Sequence, residues 1–117
     1  MTQASVLSHR HLADGPLVDW GPVEMPLGEP VSQTSGRLLE GGSGRFPESG
    51  YWRCTEGRWR CEIARSEFCH FLEGDCTYTG DDGAVIDVTC GDTVWFPAGW
   101  KGECRVLNAV SKVYLIV

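Results

Sequence analysis

Six cysteines, Cys54, Cys61, Cys69, Cys76, Cys90 and Cys104, have the widest chemical range of any side chains in this chain. A thiolate can attack, ligate a soft metal or form a disulfide. No two of the six stand as CxxC, so a zinc ribbon or a dithiol redox motif has no support. Each lies within or beside a run of strand-forming residues, and the expectation is buried, reduced cysteines acting as small apolar groups. The three histidines are His9, His11 and His70. His9 and His11 fall in a polar N-terminal arm and are expected in solvent. His70 follows Glu67 by three residues, which in a strand puts the two on opposite faces. If Glu67, Cys69 and Phe71 point inward, His70 points out. Lys112 lies between Val110 and Tyr114, and these three share one strand face. On an interior face Lys112 could neutralise Glu67 or hold an acidic ligand; on an exterior face it is a solvated charge.

These residues must be positioned by strands. In GDTVWFPAGW (91–100) a Gly-Asp turn leads into Thr93–Phe96, and Pro97-Ala-Gly stops the run. From Tyr51 onward such runs recur: Tyr51–Cys54, Arg58–Ile63, Glu67–Glu73, Cys76–Thr79, Val85–Cys90, Thr93–Phe96, Glu103–Leu107 and Val110–Val117. Turn residues separate them, among them Gly74-Asp75 and Gly80-Asp-Asp-Gly83. The even spacing predicts an all-β sandwich or barrel. Residues 1–49 read as an arm with one or two edge strands, at Leu17–Trp20 and Arg37–Glu40, and GGSG at 41–44 as a flexible loop. The barrel is assigned to residues 50–117.

A net charge of −6 argues against nucleic acid, whose phosphates need a basic face, and leaves no polybasic patch for anionic membranes. No apolar run approaches the roughly 20 residues of a membrane span. The N-terminus lacks the basic and apolar segments of a signal peptide. A cytoplasmic location is expected, which agrees with reduced cysteines.

Against this background the chain resembles a cupin. Gly91, Pro97 and Gly99 match the first part of the second cupin motif, and Glu67 with Gly74 matches the end of the first. A closer resemblance is to the small cupins that include ureidoglycine aminohydrolase-like and ethanolamine-utilisation proteins. It rests on Gly50-Tyr51-Trp52, Gly57-Arg58-Trp59, EFCHFLEG at 67–74, DDG at 81–83, PAGWKG at 97–102 and Lys112-Val113-Tyr114. The resemblance implies a double-stranded β-helix, the cupin jelly-roll barrel, with an N-terminal arm and a ligand-sized interior. It also implies a homodimer, an inward Glu67 and a non-random Lys112. Cys104 takes a place where relatives often carry Trp, which implies a wider cavity.

Metal cupins hold their ion with two His and a Glu from the first motif and a His from the second. Here Arg60–Ile63 contains no His, the second motif's His falls on Gly102, and its Asn falls on Val106. Glu67 alone remains, so neither a bound metal nor another cofactor is expected. Glu67 and Lys112 are the candidate catalytic pair. Trp59, Cys61, Cys69, Tyr78, Trp100, Cys104 and Tyr114 are the candidate ligand contacts, with Trp100 as a rim contact. The expected function is metal-free binding of a small polar metabolite. Alternatives are an enzyme acting on a C–N bond of a small ureido or amino acid, and a metal-free acid–base isomerase using Glu67.

Overall fold

The computed structural model describes residues 4–10 and 12–117, so the expectation for His11 lies outside the described residues. The described chain is all-β. Its eight strands are β1 (Val18–Pro22), β2 (Gln33–Gly42), β3 (Arg45–Cys54), β4 (Gly57–Glu62), β5 (Glu67–Gly80), β6 (Val85–Thr89), β7 (Thr93–Phe96) and β8 (Lys101–Ile116). All pair antiparallel in one continuous sheet that folds over on itself.

Two long strands make the fold. The first part of β5 lies between β7 and the end of β8, and β3, β2 and β1 extend that layer. The second part of β5 lies between β6 and the start of β8, which also carries β4. β5 and β8 therefore belong to both layers, and the bend between layers falls inside them. The turn expected at Gly74-Asp75 is instead a run of β-bulges, with register shifts between Phe71 and Glu73, Glu73 and Asp75, and Asp75 and Cys76. A bulge bends a strand without ending it. Gly74 has φ +80°, and a Cβ there would strike the Ala109 carbonyl, so only glycine fits the bend. Likewise the expected break before Val110 is interior to β8.

The GGSG segment is a tight hairpin between β2 and β3 rather than a flexible loop. Gly42 pairs with Arg45, and the two residues between them, Ser43 and Gly44, have φ 55° and 85°. Positive φ at both central positions is the twist-matched two-residue turn. The Arg37–Glu40 strand is part of the longer β2, and the sheet runs through β3 across position 50. Beyond β1 the chain crosses to β4: Arg60 N–H donates to the Met25 carbonyl (2.9 Å) and Leu27 N–H to the Arg58 carbonyl (2.8 Å). This places Val23–Met25 beside the open end of the barrel.

The core between the layers is rich in sulfur. Cys54, Cys61, Cys69, Cys76 and Cys104 are buried in it with Phe71, Tyr78, Val88, Phe96, Val106 and Val110. Cys90 departs from the expectation for the thiols: it lies in the turn after β6, exposed, its thiol on the Leu72 carbonyl. All six are free.

Candidate binding site

Alternation along β5 sends Glu67, Cys69 and Phe71 to the inside and Phe68 and His70 to the outside. His70 is half-buried on that outer side, paired in register with Thr93 and Val113. On β8, Lys112 pairs in register with Phe71 on one side and Trp52 on the other, so its side chain is interior. Lys112 Nζ donates to Glu67 Oε2 at 2.8 Å and contacts Cys69 Sγ at 3.4 Å. The Cys69 thiol donates to the same Oε2 at 3.2 Å. Nζ also stands 4.6 Å above the centre of the Trp52 ring, a cation–π contact.

The Glu67–Lys112 pair lies at a cavity of about 250 Å³ that opens to solvent. Trp52, Trp59, Tyr78 and Phe96 supply aromatic walls, and Cys61 and Ile63 add apolar surface. Val23, Glu24 and Met25 from the crossing segment, with Thr34, Arg60 and Glu62, complete the lining. Arg60 is held by a bidentate pair with Asp81, both contacts at 2.6 Å.

Electrostatics fix the protonation states. Burial alone would lower the Lys112 pKa, but the adjoining Glu67 carboxylate and Cys69 outweigh it, and the net direction is upward. Lys112 is therefore an ammonium, not an amine nucleophile. Burial pushes the Cys69 thiol up to about 12 and those of Cys61 and Cys54 to about 11, so none is a thiolate at neutral pH. The interior of the site offers the Lys112 cation and the Glu67 carboxylate in an aromatic setting, with further charge from Glu24, Arg60 and Glu62 in the lining. It can orient a polar ligand, and Glu67 can accept a proton.

Of the expected contacts, Trp59, Cys61 and Tyr78 line the cavity with Glu67 and Lys112. Cys69 touches the ion pair from below. Cys104 is fully buried, in register between Trp59 and Tyr78. Tyr114 is buried with its hydroxyl donating to Glu48 at 2.8 Å. Trp100 packs on Phe96 and Tyr78 at 5.3 and 6.1 Å between ring centres, and lines a separate cleft with Gly80, Asp81 and Lys101. Sequence reasoning missed Trp52, Phe96, Arg60 and the Val23–Met25 segment as site residues. Trp52 carries a readable signal, since it shares a strand face with the core residue Cys54. The crossing segment carries none.

The donors present do not fit the metal of metal-bearing cupins. A side chain at Gly102 would strike the Trp100 indole and the Thr79 carbonyl, so the position of the second motif's His is closed. Glu67 already has a cation, the Lys112 ammonium. Among the described residues no group of three or more His, Cys, Asp or Glu is placed to hold an ion.

An eight-stranded antiparallel barrel, closed by long shared strands around a solvent-open interior pair, defines a small cupin. Residues 40–114 match the EutQ-like cupin domain family, and the chain belongs to that family. Solved structures agree on the fold. One is a DUF861-family protein of unknown function from Pseudomonas syringae, with TM-score 0.77 and 20% identity, covering 88% of this chain. This chain spans 45% of that protein's length. A DUF861-family protein from Thermotoga maritima is 30% identical over 57% of this chain and 76% of its own, with TM-score 0.56. The EutQ protein of Clostridium difficile is 18% identical with TM-score 0.63, covering 80% of this chain and 79% of its own. No curated protein matches the chain.

Proposed function

We propose that this cupin binds a small polar metabolite in its barrel, without a metal, through Glu67 and Lys112. The observation that carries this reading is a buried ion pair facing an aromatic, solvent-open cavity. Both hydrogen bonds to Glu67 described above fall on Oε2, which leaves Oε1 for a ligand donor. Aromatic walls with a few convergent polar groups are the usual composition of a small-molecule site. A volume of about 250 Å³ favours a metabolite smaller than a drug-sized ligand. The hydrolytic alternative needs a metal that the donors here do not fit. A ligand at a hundredfold excess over its Kd is expected to stabilise the fold by about 2.7 kcal/mol. Thermal-shift measurements with sugars, ureido compounds and small carboxylic acids detect that gain. Glu67→Gln keeps the shape and is expected to abolish it; an equal shift in the variant would remove Glu67 from the site.

We further propose a homodimer in the cytoplasm. Trp95, Phe68 and Leu115 are in register across β7, β5 and β8 on the outer face, exposed by 55%, 41% and 38%. Such an apolar row suits a self-complementary contact. Light scattering is expected to give a dimer for the wild type and a monomer for Trp95→Lys; a monomeric wild type would refute the contact. Six unpaired cysteines suit a reducing compartment.

A further inference from the structure

Lys112 and Cys69 hold a second chemistry that ligand binding does not use. Cys69 pairs in register with Tyr114, and Lys112 lies two residues before Tyr114 on the same inner face. The ammonium and thiol are thus diagonal neighbours on adjacent strands, 3.4 Å apart. Glu67 Oε2 closes the triangle, 2.8 Å from Nζ and 3.2 Å from Sγ. Ammonium, thiol and proton acceptor are already in mutual contact, and the ammonium and the carboxylate line the cavity.

We propose that Lys112 and Cys69 form an oxidant-driven covalent bridge in which one oxygen atom joins Nζ to Sγ, with Glu67 as the local proton acceptor. The oxidant is a peroxide. One hydrogen peroxide converts the thiol to a sulfenic acid and is reduced to water. A second accepts two electrons as the N–O bond forms between Nζ and the sulfenic oxygen, and leaves as two waters. The balance is R–SH + R′–NH3+ + 2 H2O2 → R–S–O–NH–R′ + 3 H2O + H+. Sulfur and nitrogen each lose two electrons, and the ammonium proton leaves through Glu67.

Burial makes Cys69 slow toward bulky thiol reagents. A productive oxidant must be small enough to share the cavity. A water molecule takes up about 30 Å³ of liquid, a peroxide little more, and the cavity holds about 250 Å³. The base must already be in contact, which Glu67 is. The product has no charge on Nζ, so oxidation takes away the cation of the binding site and leaves Glu67 without its partner.

The full-length wild-type protein treated with hydrogen peroxide tests this directly, with no ligand required. Intact mass is expected to rise by about 14 Da, one oxygen gained and two hydrogens lost, and to revert with dithiothreitol. Fragment spectra should join the Cys69 and Lys112 peptides, and the species should be absent from Cys69→Ser. Three outcomes overturn the proposal. They are oxygen gain without hydrogen loss at Cys69, hydrogen loss without oxygen gain, and the same mass species persisting in Cys69→Ser. Loss of ligand binding in an unbridged protein bears only on the binding reading, so the two fail separately.

Discussion

Glu67→Ala is expected to destabilise the fold by about 3–5 kcal/mol, because it strands the Lys112 ammonium in the barrel. The side chains of Lys112 and Glu67 are only 9% and 13% exposed, so water from the cavity replaces the lost partner only in part. The remaining neighbours of Nζ are the Trp52 and Phe71 rings, at 4.6 and 5.8 Å, and a thiol. These soften the loss without supplying a counter-charge. The double variant Glu67→Leu/Lys112→Met is expected to cost less than the single change, since no charge is then left buried. Urea unfolding of the three proteins measures both. A single-variant loss below about 1 kcal/mol would mean the pair is solvated like a surface pair. The exposed Arg58–Glu103 contact provides the comparison, with side chains 50% and 37% exposed. Breaking that one should cost about 0.2–1 kcal/mol.

Stability is also expected to fall steeply above about pH 9. The thiols of Cys54 and Cys61 titrate at about 11 and that of Cys69 at about 12 in the fold, against an ordinary value of 9.0, all through burial. Between those values the unfolded chain has released protons that the native state still holds. Stability therefore decreases as pH rises. This contribution is complete below the unfolded value and is lost on the way up to the folded ones. Each thiol contributes about 1.4 kcal/mol per pH unit in that window. Three of them remove about 4 kcal/mol between pH 8 and pH 10, a large part of the 5–15 kcal/mol typical of a domain. Lys112, shifted upward, acts in the same direction above the ordinary lysine range. Urea midpoints across pH 8–10 test this. A flat profile would contradict thiol burial, and Cys61→Ala should make the fall shallower.

Much of the architecture is legible in the residues. Period-two alternation at Glu67, Cys69 and Phe71 gives the inward face of β5 correctly, because that pattern is local. Turns at Gly80–Gly83 and Pro97–Gly99 stand where glycine and proline punctuate the chain. Gly74-Asp75 reads identically to a turn yet is a bulge. The difference lies in β8, which pairs across the break and keeps the strand going. In the same way, composition makes GGSG a linker, while the register of β2 and β3 makes it a two-residue hairpin. The candidate site divides along the same line. Glu67 and Lys112 are recognisable singly, 45 residues apart in sequence. Their contact, and the place of Trp52 above Nζ, depend on which strands are adjacent, a non-local fact. The contribution of Val23–Met25 comes from a chain crossing that has no residue pattern of its own.

The sharing of β5 and β8 between the two layers bears on how the barrel is made as the chain emerges during synthesis. β8 is the last of the eight strands, and it pairs with β3, β4 and β5. Until it arrives, each of those strands has an open edge, and the sulfur-rich interior has no second wall. A nascent chain lacking β8 is two three-stranded sheets, β1–β2–β3 and β5 with β6 and β7, and a β4 with no strand partner, each leaving apolar surface in water because nothing yet joins the layers. Folding is then a single late closure, in which loop entropy is paid over long sequence separations before the contacts repay it. During that interval the exposed edges are open to pairing with other chains. The strand that delivers Lys112 to Glu67 is thus also the one whose arrival ends the period of greatest aggregation risk.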